Sequence, residues 1–153
     1  MKCTYVFLAF FILFASCSTE TKSDFEIVKD LLKHEVLKDA QKFLNSEPIT
    51  VTSHSSERSA GTKHDFYSEG DYWWPNPEDI NGPYIRKDGL SNPDNFVAHR
   101  RSMIRLSQIS GALASAYLIT KDDVYLNKLM PHLKAWFVNE DTRMNPHLLY
   151  AQA

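Results

Sequence analysis

The chain has 153 residues, a length that fits one domain at most. Hydrophobic residues make up 43% of it and charged residues 24%, a composition that is typical of globular proteins and excludes a disordered chain. The formal charge is -2 and there is no basic tail, so the charge does not indicate a nucleic-acid partner.

The first 17 residues predict a lipoprotein signal peptide. Lys2 gives a positive start, and residues 5–14 form an apolar run that is too short to span a bilayer comfortably. Phe14-Ala15-Ser16-Cys17 resembles a bacterial lipobox, in which the cysteine is acylated and becomes the first mature residue. We therefore expect an exported protein, periplasmic or anchored in the outer membrane through lipid on Cys17, with residues 18–23 as a polar tether. The alternative is ordinary signal cleavage near Ser16, which leaves Cys17 free.

The segment after the tether predicts a helix and then a long irregular loop. The helix begins near Asp24, with Ser23 or Asp24 as its cap, and Pro48 prevents its continuation. Residues 47–95 show no sustained helical period, although residues 49–52 fit a short extended piece. This segment is too aromatic for a free linker, so we expect a packed loop with a function.

Two further helices are predicted over about residues 94–119 and about residues 122–138. Thr120 begins a capping pattern between them, and Pro131 should kink the third helix or mark a weak turn. Their short connection predicts an antiparallel pair. The apolar stripe of the first helix consists of Val28, Leu31, Leu32, Val36, Ala40, Phe43 and Leu44. That of the second consists of Met103, Leu106, Ile109, Leu113, Ala116 and Tyr117, and that of the third consists of Val124, Leu126, Leu129, Leu133, Trp136 and Phe137.

The most informative stretch is the aromatic one at residues 70–77, Gly70-Asp71-Tyr72-Trp73-Trp74-Pro75-Asn76-Pro77. Flat aromatic rings cover the apolar CH faces of sugars well, so this loop predicts a carbohydrate surface. The alternative is that both tryptophans seal the loop onto the helices, or that one packs while the other faces a ligand.

Two groups of basic residues follow the aromatic loop in the sequence. Arg86 suits a carboxylate through paired hydrogen bonds, whereas for Lys87 we prefer a solvated turn. The start of the second helix carries four more basic side chains: His99, Arg100, Arg101 and Arg105. Arg101 and Arg105 share a face, and cations at a helix start oppose the helix dipole. They indicate an anionic partner, either a substrate or a carboxylate such as Asp94, and structural ion pairing is the commoner outcome.

Metal and cofactor motifs are absent from the sequence. No two of the six histidines have the spacing of a zinc motif, and the mature chain keeps one cysteine. There is also no glycine-rich phosphate loop and no Gly-x-Ser-x-Gly elbow. We therefore expect no metal and no cofactor.

Several blocks in order resemble the alginate lyase domain family over about residues 64–153. The blocks are Asp71-Tyr72-Trp73-Trp74-Pro75-Asn76-Pro77, Gly82-Pro83-Tyr84-Ile85-Arg86-Lys87-Asp88-Gly89, Asn92-Pro93, Met144-Asn145-Pro146 and Tyr150-Ala151-Gln152-Ala153. The resemblance implies an all-α fold, namely an α/α toroid of helical hairpins around a substrate cleft. It also implies β-elimination on alginate or a related uronate polymer. Residues 24–153 would then be the truncated N-terminal portion of such a toroid, with a long irregular aromatic loop.

The resemblance also implies which residues contact the anionic polysaccharide. These are Tyr72, Trp73, Trp74, Asn76 and Arg86, with Asn145 and His147 as further candidates. Family members use an Asn-His or similar pair, an arginine and a tyrosine for the elimination itself. We expect those groups beyond Ala153, so no catalytic residue is assigned and the fragment alone is expected to be inactive.

Two other hypotheses fit the sequence less fully. One is a non-catalytic glycan-binding surface lipoprotein. The other is a helical-repeat interaction protein, which explains the helices but not the Trp-Trp-Pro loop.

Overall fold

The computed structural model describes residues 22–152, and their regular structure is mostly helical, as the all-α prediction expects. The helices are α1 (Asp24–Gln41), α2 (Ala98–Thr120) and α3 (Asp123–Phe137), with a short 3-10 helix at Val51–Ser53. Four two-residue strands are β1 (Tyr67–Ser68), β2 (Trp73–Trp74), β3 (Ile85–Arg86) and β4 (Tyr150–Ala151). The predicted signal peptide with Cys17, and most of the tether, lie outside the described residues. The toroid and these segment boundaries stay predictions.

Helix α1 begins with the cap that the sequence predicts. The Ser23 side chain accepts a hydrogen bond from the Glu26 N–H, and the Glu26 carboxylate accepts one from the Ser23 N–H, which forms a capping box. The helix ends at Gln41, before Pro48, because the chain turns there and packs Phe43 against the other helices. Proline is therefore not what ends this helix.

Helix α2 begins later than predicted, at Ala98 instead of near Asp94. The residues before it form turns, in which the Asp94 N–H donates to Asn92 Oδ1 at 3.0 Å. Asparagine side chains compete with helical backbone bonds in this way, which explains the delayed start.

The connection between α2 and α3 also differs from the predicted cap. Thr120 does not cap α3, because its hydroxyl donates to the Ala116 carbonyl at 2.7 Å. Asp122 is the cap and accepts a hydrogen bond from the Val124 N–H at 3.0 Å. Lys121 ends α2 in the left-handed conformation, with φ 60°, and α3 then continues through Pro131.

The core has two parts that meet along α2. One joins all three helices and consists of Ala40, Ile109, Leu113, Ala116 and Leu129. The other fixes the irregular segments to α2 and α3 and consists of Val51, Phe66, Leu106 and Trp136. Burial of each large apolar side chain contributes about 1.5–3 kcal/mol, so the second part holds the loops firmly.

Parts of the predicted stripes lie outside this core. Val28, Leu31 and Leu32 on α1, and Val124 and Phe137 on α3, are exposed in the described chain. The residues predicted as extended at 49–52 instead lead into the 3-10 helix, where the Ile49 carbonyl accepts a hydrogen bond from Trp136 Nε1 at 2.8 Å. None of the helices within residues 22–152 has the length and apolar character needed to cross a membrane.

Candidate functional site

Two irregular segments, residues 42–97 and 138–152, meet at one end of the α2–α3 pair. The short connection after α2 reverses the chain, so α2 begins at this end and α3 finishes there. Strand β1 pairs in parallel with β4, and the Asn145 N–H donates to the His64 carbonyl at 2.9 Å. All of the predicted substrate residues lie in these two segments.

The tryptophan hairpin, residues 72–87, contains the antiparallel pair of β2 and β3. Trp73 lies directly opposite Arg86, and Trp74 lies opposite Ile85. Both tryptophans are half-buried, so neither indole is sunk in the interior. The structure therefore brings three of the predicted substrate residues together on two paired strands.

Trp74 and Lys87 form a cation–π contact. Lys87 is exposed, as expected for a solvated turn, and its Nζ also lies 4.5 Å from the centroid of the Trp74 ring. Trp74 Nε1 is buried and finds no hydrogen-bond partner within residues 22–152. Tyr72, by contrast, is 46% exposed and is the most accessible aromatic residue of the Tyr72-Trp73-Trp74 run.

The polar candidates of the hairpin have weak partners. The Asn76 side chain accepts a hydrogen bond from the Glu78 N–H at 3.0 Å, which shapes the turn after the tryptophans. Arg86 Nε lies 2.5 Å from Asp88 Oδ1, and both side chains are exposed. An exposed ion pair of this kind contributes little, so Asp88 does not hold the Arg86 guanidinium firmly.

The base of the hairpin is fixed to the start of α2. Arg100 pairs with Asp71 at 2.5 Å, and this hydrogen bond lowers the pKa of the Asp71 carboxyl. Asn95 Nδ2 donates to the Gly70 carbonyl at 2.7 Å, and Asn92 Nδ2 donates to the Trp73 carbonyl at 3.1 Å. The charge of Arg100 is therefore used structurally, which is the commoner of the two expected outcomes.

His99 does not belong to a cationic face, although the sequence places it among the basic residues. It is buried, and its Nδ1 accepts a hydrogen bond from the Tyr67 N–H at 3.0 Å. Nδ1 must then be unprotonated, so Nε2 carries the hydrogen and donates it to the His54 carbonyl at 3.1 Å. The ring is neutral and links residues 54 and 67 of the first irregular segment to the start of α2.

Glu69 is a buried centre that sequence reasoning missed. It is 1% exposed, and its Oε2 accepts hydrogen bonds from Arg58 Nη2 at 2.7 Å and from the Phe96 N–H at 2.6 Å. Its Oε1 accepts a third from the Tyr67 hydroxyl at 2.9 Å. Burial, together with this hydrogen bond, raises the pKa of Tyr67. A charged side chain in a long loop is usually exposed, so nothing in the local sequence indicates that Glu69 is buried in a hydrogen-bond network.

Two cavities flank Arg58. The tyrosine cavity has a volume of about 280 Å³, and its lining includes Tyr67, Tyr84, Tyr150 and Arg58. The arginine cavity has a volume of about 520 Å³, and its lining includes Arg58, Arg101 and Arg105. Neither cavity is lined by an indole of the hairpin.

Asp65 organises a separate group that contains the two remaining candidates. It is buried and accepts hydrogen bonds from Asn145 Nδ2 at 2.6 Å and from the Thr62 N–H at 2.7 Å, and His147 Nε2 lies 3.1 Å away. The Asn145 and Thr62 hydrogen bonds lower the pKa of Asp65. Asn145 and His147 thus hold the second segment to the first, and their contact with substrate stays a prediction.

Metal-binding chemistry has no visible centre in the part of the chain that the structure describes. There, no group of three or more His, Cys, Asp and Glu side chains is placed to hold an ion. The polar and aromatic candidates that the structure does bring together are on the tryptophan hairpin, where Tyr72 and Arg86 are exposed and Trp73 and Trp74 are half-buried.

Comparison with known proteins places the chain in a family. The family model described as alginate lyase matches residues 50–153, so the chain belongs to the alginate lyase family. The structure is similar to the crystal structure of an alginate lyase from Bacteroides ovatus, with 36% sequence identity and a TM-score of 0.66. That match covers 84% of this chain and 36% of the relative, so the chain spans about a third of the relative's length. Among curated proteins, no match was found.

Proposed function

We propose that the protein is a polysaccharide lyase that cleaves alginate or a related uronate polymer by β-elimination. Residues 22–152 supply substrate contacts within a larger α/α toroid. Membership of the alginate lyase family and the similarity to an alginate lyase structure support the reaction class. The tryptophan hairpin supports the class of substrate.

The observation that carries the proposal is the register of β2 and β3. Trp73 lies directly across from Arg86 on the paired strand, so the two side chains leave the hairpin on the same face. A uronate residue presents an apolar ring face and a carboxylate within one sugar. An indole suits the ring face and arginine suits the carboxylate, so the pair matches both features at once.

The chemistry explains why cationic groups belong near the polymer. Elimination removes the proton at C5 of a uronate, which is barely acidic while the neighbouring carboxylate keeps its charge. Placed donors and cations must therefore stabilise the negative charge that develops, and an acid must protonate the leaving oxygen at C4. Arg86 can supply a cationic contact to the substrate carboxylate. No catalytic residue is assigned among residues 22–152.

The second candidate is a glycan-binding protein without lyase activity. The aromatic rings and the arginine that carry the proposal are binding groups, and binding does not require a catalytic base. In either case we propose export and attachment to the membrane through lipid on Cys17, which the lipobox-like sequence supports.

A binding experiment tests the part of the proposal that this chain carries. Trp73→Ala should weaken binding to alginate roughly tenfold, because it removes one aromatic ring face from the site. Phe25→Ala is the matched control, since Phe25 is an exposed aromatic residue on α1, outside the two irregular segments. Affinity is measured by retardation in native gels that contain alginate. If alginate retards Trp73→Ala and wild type equally, the hairpin is not part of the binding site.

A lyase assay separates the two candidates. The full-length protein is mixed with alginate, polyglucuronate or a neutral glucan, and absorbance of the new C4–C5 double bond is followed. The lyase proposal predicts a rise with at least one uronate polymer and none with the glucan. Binding to alginate without any rise would favour the non-catalytic candidate.

A further inference from the structure

We propose that the arginine cavity is a second carboxylate-binding subsite for the same polymer, with Arg101 as its principal binding residue. This inference rests on the proposed function for the identity of the polymer, but it concerns residues other than those of the tryptophan hairpin. The subsite lies beside the start of α2 and not on the tryptophan hairpin.

Among the arginines of the cavity and of the start of α2, Arg101 is singled out because its side chain has neither an ion pair nor a hydrogen bond within residues 22–152. Arg58 is paired with Glu69, and Arg100 is paired with Asp71. Between residues 22 and 152, neither Arg101 nor Arg105 forms an ion pair, and Arg105 is held by a 3.0 Å hydrogen bond from its Nη1 to the Glu47 carbonyl.

Arg101 is exposed and lines the arginine cavity together with Arg105, one helical turn further along the same face. Asp94 is the acidic side chain of this lining. Even when it is counted against them, Arg101 and Arg105 leave the cavity with a net positive charge.

The start of α2 adds to this preference for an anion. Val97, the residue that precedes α2, makes no side-chain capping hydrogen bond to the helix. The first N–H groups of a helix carry partial positive charge, and a cation in the first turns is unfavourable beside them. An anion in the cavity would be attracted by both the helix start and Arg101, which offsets that repulsion.

The rest of the lining suits a sugar better than a bare inorganic ion. Hydroxyl and amide groups are supplied by Ser55, Ser56, Asn95 and Ser102, and apolar surface is supplied by Ile49, Phe96 and Val97. Sugars present hydroxyls and CH faces together, so a mixed wall of this kind matches them.

The position of the cavity suits a polymer. Tyr84 belongs to the tryptophan hairpin and also lines the tyrosine cavity. Arg58 lines both the tyrosine cavity and the arginine cavity. Neighbouring members of this series therefore share a lining residue, as a polymer of several uronates that reaches from the hairpin to the arginine cavity would require.

The experiment compares charged and neutral ligands on matched variants. The probes are a uronate oligosaccharide from alginate, the same oligosaccharide with its carboxyl groups reduced to alcohols, and inorganic phosphate. Arg101→Gln should raise the Kd for the uronate oligosaccharide about tenfold and leave the Kd for the reduced one unchanged. For the uronate oligosaccharide, the Kd of Arg101→Lys should lie between those of wild type and Arg101→Gln, because lysine keeps the charge and loses the paired donors.

Lys128→Gln is the matched control, because it removes one exposed positive charge from α3, away from the loop-bearing end. It should bind as wild type does, and thermal unfolding checks that every variant is folded. An unchanged Kd for the uronate oligosaccharide in Arg101→Gln would overturn the subsite. The subsite would also be overturned if Arg101→Gln lost as much affinity for the reduced oligosaccharide, or if wild type bound inorganic phosphate as tightly as the uronate oligosaccharide.

The two proposals fail in different ways. If wild type binds no uronate oligosaccharide, the proposed function fails. If wild type binds it and Trp73→Ala weakens that binding while Arg101→Gln does not, only the subsite is wrong.

Discussion

Replacement of Glu69 tests whether its buried network holds the site together. In Glu69→Ala, the Arg58 guanidinium, the Phe96 N–H and the Tyr67 hydroxyl all lose their acceptor. Removal of one partner from a buried ion pair costs about 3–5 kcal/mol. Arg58 is partly exposed and keeps a hydrogen bond to the Asp94 carbonyl, which places the expected loss in the lower half of that range, about 3–4 kcal/mol.

Glu69→Gln separates the hydrogen bonds from the charge. The amide oxygen can still accept from Arg58 and from the Phe96 N–H, while the amide NH₂ can donate to the Tyr67 hydroxyl. We therefore expect a smaller loss of about 1–2 kcal/mol. Glu78→Ala serves as a control, because Glu78 is an exposed glutamate within the tryptophan hairpin and should leave stability unchanged.

Urea unfolding followed by tryptophan fluorescence measures these differences. With a slope of about 2 kcal/mol per molar urea, Glu69→Ala should lower the midpoint by about 1.5–2 M. A loss below about 1 kcal/mol would refute the reasoning, since the Arg58, Phe96 and Tyr67 donors cannot all lose a buried acceptor so cheaply. Equal losses in Glu69→Ala and Glu69→Gln would reject the hydrogen-bond account and leave only the charge.

Three further changes test the fold. The Asn145 hydrogen bond is the main cause that lowers the pKa of Asp65 from 3.8 in the folded protein, so ionised Asp65 stabilises the fold above about pH 3.8, and this stabilisation is lost as the pH falls through the lowered pKa. Between about pH 6 and about pH 2, the urea midpoint should therefore fall less steeply in Asp65→Asn than in wild type. Parallel curves for the two proteins would contradict this. Leu113→Ala should destabilise by about 2–5 kcal/mol in the same assay, whereas Leu149→Ala, at 77% exposed, should change little. Lys121→Gly should stabilise the fold by about 0.5–1 kcal/mol and so raise the melting temperature, because Lys121 has a φ of 60°, which glycine adopts without strain. A lower melting temperature would reject this prediction.

The helices were predictable because their signals are local. Ser23 and Glu26 are three residues apart, which is the spacing of a capping box, and the structure contains both of its hydrogen bonds. The positions of helix ends were less predictable. Asn92 and Thr120 each use a side chain for a local hydrogen bond, and this moved a start or a cap by a few residues.

The hairpin candidates were also visible in the sequence, since Trp73 and Trp74 are adjacent and Arg86 follows within one loop. The groups that fix them were not. Glu69 meets Arg58 from 11 residues away, and Asp65 meets Asn145 from 80 residues away. No periodicity relates such residues, because their contact depends on how two irregular segments pack.

The sequence by itself determined where helices form and that an aromatic, cationic loop separates the first from the second. Only the tertiary structure decided which charges are neutralised: Arg100 is paired, His99 is buried and neutral, and Arg101 lines a cavity without an ion pair among the described residues. The physical reason is that helix formation depends on neighbours three or four positions apart. The fate of a charge depends instead on burial and on carboxylates brought close from distant parts of the chain.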